Sequence, residues 1–321
     1  MQKKRTGSLI ASFVIVAVFL GGVWQRQVVF DWFRLRNYTP SAEIIALGDR
    51  TTMSNNTRRL FYVYHPELND KATFNDHCTG GEQTIVLGCY IHNRGIYIYN
   101  VTDVRLNGIL EVTAAHETLH ATYDRLSSSE RQRIDGFLNQ AFAGIKDERI
   151  LKTIESYRKN GADIVNELHS ILGTEVRNLS PELENYYKQY FNDRSKIVAY
   201  SEQYEQAFTE RKTKVEDYDK QLANLKQQAE ANQSSLNIQV NALNTEKQQL
   251  DRLLAQKQYD AYNQAVPDYN IKIKDYNALV NQTKALITQY NFLVEARNAL
   301  ALEENQLYKA IDSRPNTLQI Q

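Results

Sequence analysis

Residues 102–126 read TDVRLNGILEVTAAHETLHATYDRL. Thr102 or Asp103 is a helix cap, and Leu106, Ile109, Leu110 and Val112 follow the helical period, so the stretch predicts a helix. Within it, His116, Glu117 and His120 spell H-E-x-x-H. Side chains four apart share a helix face. His116 and His120 can therefore converge on one metal ion, with Glu117 beside it. The bland alternative is two core histidines and a solvated glutamate.

Upstream of this helix, YTPSAEIIALG predicts a short helix capped by Thr39, with Pro40 in its first turn and Gly48 at its end. RLFYVYHP (59–66) is aromatic and β-branched and reads as a strand. TIVLGCYIH (84–92) and GIYIYNV (95–101) read as a hairpin joined by Asn93 and Arg94. Cys78 and Cys89 bracket residues 78–89. Outside the cytoplasm they can close a disulfide worth ~2–3 kcal/mol; otherwise they are two free, half-buried thiols.

Residues 8–24 are almost wholly apolar and follow Lys3, Lys4 and Arg5. This reads as a single-pass anchor with a cytoplasmic tail (1–7) and everything downstream extracytoplasmic. A cleaved signal peptide is the rival, but no A-x-A-like site follows the run.

Downstream, SSSERQRIDGFLNQAF opens with a capping-box pattern, Ser127 three before Glu130. KDERILKTIESYRKNG and ADIVNELHSILG end at Gly161 and Gly173, read as C′ glycines. LSPELENYYKQYF starts a last long helix, with Ser180 as cap and Pro181 in its first turn.

From about residue 207 the pattern becomes heptad. Val215, Leu222, Ala229, Leu236, Leu243 and Leu250 recur every seven residues, as do Val266, Ile273, Val280, Ile287, Val294, Ala301 and Tyr308. The two ladders are out of frame, which places a turn near 257 in an antiparallel coiled-coil hairpin. Its arms of about 50 residues would each be ~75 Å long. An asparagine follows each of Tyr262, Tyr269, Tyr276 and Tyr290 in the second arm: Asn263, Asn270, Asn277 and Asn291, continuing as Asn298 and Asn305. This column is either a solvated flank or a register-fixing ladder.

Composition concentrates the chemistry in the first half. All 13 glycines lie at or before Gly173, and all six histidines lie between His65 and His169. Net charge is zero, with 38 basic and 38 acidic residues, so no nucleic-acid footprint is present.

Zinc needs a third protein ligand. The metzincin pattern would need Gly at 123 and a ligand at 126, where Tyr123 and Leu126 stand. Farther on, Asn166-Glu167 and Ser170 match N-E-x-x-S. Together with H-E-x-x-H, this resembles the gluzincin zinc metallopeptidases over about residues 85–195. The acidic residue that often follows the ligand glutamate by four is Ile171 here, and Glu175 and His169 stay open as rival ligands.

The resemblance implies one Zn²⁺ per chain on His116, His120 and Glu167, with a zinc-bound water activated by Glu117 to hydrolyse a protein or peptide substrate. It also implies a transition-state stabiliser, for which Tyr186, Tyr187 and His169 are candidates. Asp124, four after His120, and Ser170 are candidate supports of the ligands. The strand GIYIYNV is a candidate edge for an extended peptide.

The expected architecture is an α+β protein. A small mixed catalytic domain (38–200) with a short β-sheet lies between the anchor and a hairpin (201–313) that ends in a tail (314–321). The expected function is a membrane-anchored endopeptidase. The alternative is a non-enzymatic envelope scaffold acting through a protein partner of the hairpin, with a structural or relict metal site.

Overall fold

The computed structural model describes residues 26–78 and 85–315. It divides into two compact units, one running through Ala207 and resuming at Leu307, the other Phe208–Gln306.

The first unit opens with α1 (Arg26–Arg36), α2 (Ala42–Arg50) and α3 (Asn55–Val63). After these come β1 (Glu67–Asn69), α4 (Lys71–Cys78), β2 (Gly88–Ile91), β3 (Gly95–Tyr99) and a 3₁₀ turn at Val104–Leu106. Next are α5 (Ile109–Tyr123), α6 (Ser128–Ala143), α7 (Glu148–Lys159), α8 (Ile164–Glu175) and α9 (Pro181–Tyr187). The long α10 (Arg194–Ala255) and α11 (Tyr259–Ile311) complete the chain. The fold is therefore dominantly helical. The α+β class is corrected, because the three strands are only three to five residues long.

Much of that correction comes from residues 59–66. Of these, residues 59–63 form the end of α3, which is capped at its start by Ser54, whose side chain accepts from Thr57 N. Thr57, Phe61 and Tyr64 are buried at i, i+4 and i+7, a helical rather than alternating set. The last long helix is also interrupted. Ser180 caps α9 as expected from the sequence, but α9 stops at Tyr187 and the chain restarts at Arg194. There Met53 bridges to Phe191, and Asn192 N donates to Thr52 O.

The sheet order is β1-β3-β2, with β1 parallel and β2 antiparallel to β3. β3 is thus the interior strand and β2 an edge, reversing the expected role of GIYIYNV. The turn between β2 and β3 holds Asn93 at φ 59, and Arg94 N donates to Ile91 O.

At the centre lies α5. Gly108, at φ 101, precedes it, and Asp103 caps only the 3₁₀ turn. Its small and apolar residues face protein on nearly every side, with Ala114, Ala115, Leu119 and Ala121 fully buried. A helix apolar all round is a core helix. The sheet packs on it, as do α2, α3 and α8.

The second unit consists of two antiparallel arms. They are joined at residues 256–258, where Lys257 has φ 56 and Gln258 N donates to Leu253 O. Arg211–Glu303, Asp219–Arg297 and Glu246–Lys272 are paired across them. The first arm keeps its heptad, burying Leu225, Leu236, Leu243 and Leu250.

The second arm does not keep its heptad. Ile287 and Tyr308 are exposed, while Leu293 and Leu307 are buried one residue earlier in the frame. A helix drifts about 20° per heptad against a strict seven-residue repeat, so the expected ladder rotates off the seam. The asparagine column is exposed throughout.

The anchor expected at 8–24 lies outside the described residues, and among the described residues no helix is long and apolar enough to cross a membrane. The first described helix, α1, carries Arg26, Asp31, Arg34 and Arg36. Asp31 binds the Arg125 guanidinium at 2.7 and 2.9 Å, and Arg34 donates to Val63 O. The single-pass membrane assignment, and the extracytoplasmic location that followed from it, are corrected accordingly.

Candidate metal centre

Two helices assemble the site. α5 presents His116 and His120, one turn apart, and α8 presents Glu167 in its first turn. Asp163 caps α8, accepting from Val165 N and Asn166 N, which fixes where that turn begins. Farther along, Gly173 lies against α5: a Cβ there would stand 2.5 Å from Leu119 Cδ1 and 2.8 Å from Tyr187 Cε1. Gly173 is therefore a close-packing residue inside α8, not the C′ glycine expected from the sequence.

Glu167 Oε2 lies 3.6 Å from His116 Nε2 and 3.7 Å from His120 Nε2, and the three ligand atoms all lie within 4.8 Å of one another. These separations are long for hydrogen bonds. The two glutamate–imidazole distances approach the ~3.3 Å between neighbouring ligand atoms on a tetrahedral zinc with bonds of about 2.0–2.1 Å. Glu167 Oε2 is also buried with no hydrogen-bond partner, and a buried, unpartnered carboxylate oxygen is costly. A cation shared with the two imidazoles removes that cost, so the residues fit a zinc ion. Burial pushes the Glu167 carboxyl up, but the neighbouring imidazoles outweigh it and hold the group below the usual carboxylate range.

His120 is oriented from behind by Asn166, whose Oδ1 lies 2.9 Å from Nδ1. With Nδ1–H donated there, Nε2 carries the lone pair toward Glu167. Asp124, expected to do this, instead lies 2.8 Å from Nδ1 of His92. Ser170 is fully buried and its hydroxyl touches neither ligand.

The rival ligands are engaged elsewhere. Glu175 binds Arg149 at 2.7 Å. His169 is fully buried, with Nε2 2.9 Å from Tyr186 Oη. Desolvation, reinforced by His120 and His116, pushes its pKa down to about 3. Tyr187 donates to His169 O, and Tyr186 accepts from Tyr190. These residues form an aromatic cluster behind the ligands, and none of the three expected stabilisers reaches the open side.

A cleft of about 330 Å³ opens over the cluster. Besides the ligands and Asn166 it is lined by Glu117, by Gly88, Cys89 and Tyr90 of β2, by His92, and by Tyr157 of α7. The structure joins Cys78 and Cys89 in a disulfide at its rim. Glu117 is buried, and Gly88 backs directly onto it. Sequence reasoning missed Asn166 as the orienting partner, and it missed His92, Tyr157 and Gly88. The N-E pair quoted for Glu167 was the one signal for Asn166.

Set against known proteins, the chain matches no family, no curated protein and no solved structure.

Proposed function

We propose that the protein is a zinc-dependent endopeptidase of the gluzincin type. The observation that carries this reading is the buried, unpartnered Glu167 Oε2 facing Nε2 of His116 and of His120, with Glu117 in the same cleft. When bound, zinc supplies Lewis acidity, acidifying water and polarising the scissile carbonyl.

Each protein group then has a role. His116, His120 and Glu167 hold the ion, and Asn166 fixes the tautomer of His120. The Glu117 carboxylate takes a proton from the attacking water and delivers it to the leaving amine. Among the described residues β2 has a strand on one side only, and its residues line the cleft, so an extended peptide adds along that edge. His92, held by Asp124, and Tyr157 line the same cleft and are the candidates to meet the carbonyl oxygen. They replace Tyr186, Tyr187 and His169 in that role.

The test is Glu117→Gln. This variant is expected to keep zinc and fold while hydrolysis of an unfolded protein falls by about 10²-fold or more, the scale of general-base removal. Turnover equal to the parent's overturns the proposal.

A further inference from the structure

We infer that Gly88 is a positioning residue for Glu117, and that its missing side chain sets where the carboxylate stands. The inference rests on the peptidase reading for its consequence but not for its geometry.

A Cβ built on Gly88 would lie 2.7 Å from Glu117 Cγ, 2.8 Å from Glu117 Oε1 and 2.6 Å from Thr113 Cγ2. The backbone of β2 is thus the wall against which Glu117 rests. Glu117 lines the cleft that the ligands share, so its position against this wall bears on where its carboxylate stands there.

The wall itself is held on several sides. Gly88 pairs with Ile98 in the ladder with β3. Tyr99 N donates to Leu87 O at 2.8 Å. The next residue, Cys89, is tied to Cys78. Two residues earlier, Val86 O accepts from the buried Ser313 hydroxyl. Asn75 in turn donates to Ser313 O at 2.8 Å. A strand held this way does not retreat to admit a methyl group, so the side chain opposite must yield. Thr113 is short and bonded to Ile109 O at 2.7 Å, whereas Glu117 meets the new Cβ with the far end of a longer, flexible side chain, so Glu117 is the group that moves.

The three atoms nearest Gly88's missing Cβ belong to Thr113 and Glu117, none to a metal ligand. Gly88→Ala should therefore separate base placement from metal binding. Misplacing a catalytic group by ~1 Å costs on the order of 10²-fold in rate.

The experiment compares the zinc-loaded full chain with Gly88→Ala by crystal structure, zinc content, and kcat and KM on an unfolded protein. The expected result has four parts: Glu117 displaced by ~1 Å or more, zinc at the parental level, kcat down on the order of 10²-fold, and KM little changed. The double variant Gly88→Ala/Thr113→Ser removes the threonine methyl but keeps its hydroxyl. It confines the clash to Glu117, is expected to show the same displacement, and carries the test if the single variant does not fold. A carboxylate within ~0.5 Å of its parental position, or parental kcat despite displacement, or loss of zinc, overturns the inference. A parent that hydrolyses nothing refutes the peptidase reading instead, and the displacement alone then decides the role of Gly88.

Discussion

Removing the amide behind His120 should weaken the metal site without harming the fold. In Asn166→Ala the 2.9 Å contact to Nδ1 is lost, and His120 is free to take the other tautomer or turn its ring. The hydrogen bond alone is worth about 0.5–1.5 kcal/mol. Loss of such an outer partner typically costs 10–100-fold in metal affinity, or ~1.4–2.7 kcal/mol, because the ligand's orientation is lost along with the bond. Asn166 is only half-buried, and the α8 cap is made by Asp163, so the metal-free protein should unfold at nearly the parental urea concentration. Zinc titration against a competing chelator measures the affinity. Asn166→Asp, which still accepts from Nδ1–H, should recover most of it. An Asn166→Ala protein with the parent's zinc affinity would refute the assignment of His120 Nε2 as a ligand held from behind.

Other outcomes follow from the packing. Gly173→Ala should cost ~1–3 kcal/mol of stability by overpacking the α5–α8 contact, read by urea denaturation. Arg50→Ala strips the partner from Glu111, a buried carboxylate on α5. It should cost ~1–3 kcal/mol in the same assay. By contrast, a double-mutant cycle on the exposed Asp219–Arg297 pair should return only ~0.2–1 kcal/mol.

The helical and capping signals were legible where they were local. Ser127 with Glu130, Ser180 with Pro181, and Gly161 at φ 75 act as the sequence suggests. The strand read at 59–66 failed because aromatic and β-branched residues also build a buried helix face, and Thr57, Phe61 and Tyr64 carried the helical period unread. Gly173 was misread because a terminating glycine and a close-packing one look alike until the facing helix is known.

The second ladder slipped because a strict seven-residue repeat hides the drift of a real helix. Its neighbours Leu286, Leu293, Leu300 and Leu307 offered the alternative frame. At the candidate centre, His116, Glu117 and His120 were legible from spacing alone, and Glu167 only through the resemblance. His92, Tyr157 and Gly88 were not legible, since they reach the cleft through tertiary packing that leaves no local pattern.

The central claim is that three side chains from α5 and α8 hold one metal ion. Metal analysis of the purified full chain tests it most directly, beside His116→Ala and Glu167→Ala. The account predicts about one zinc per parental chain and loss of that zinc in each variant. A parental protein that takes up no zinc, or a Glu167→Ala protein that retains it in full, would contradict the account.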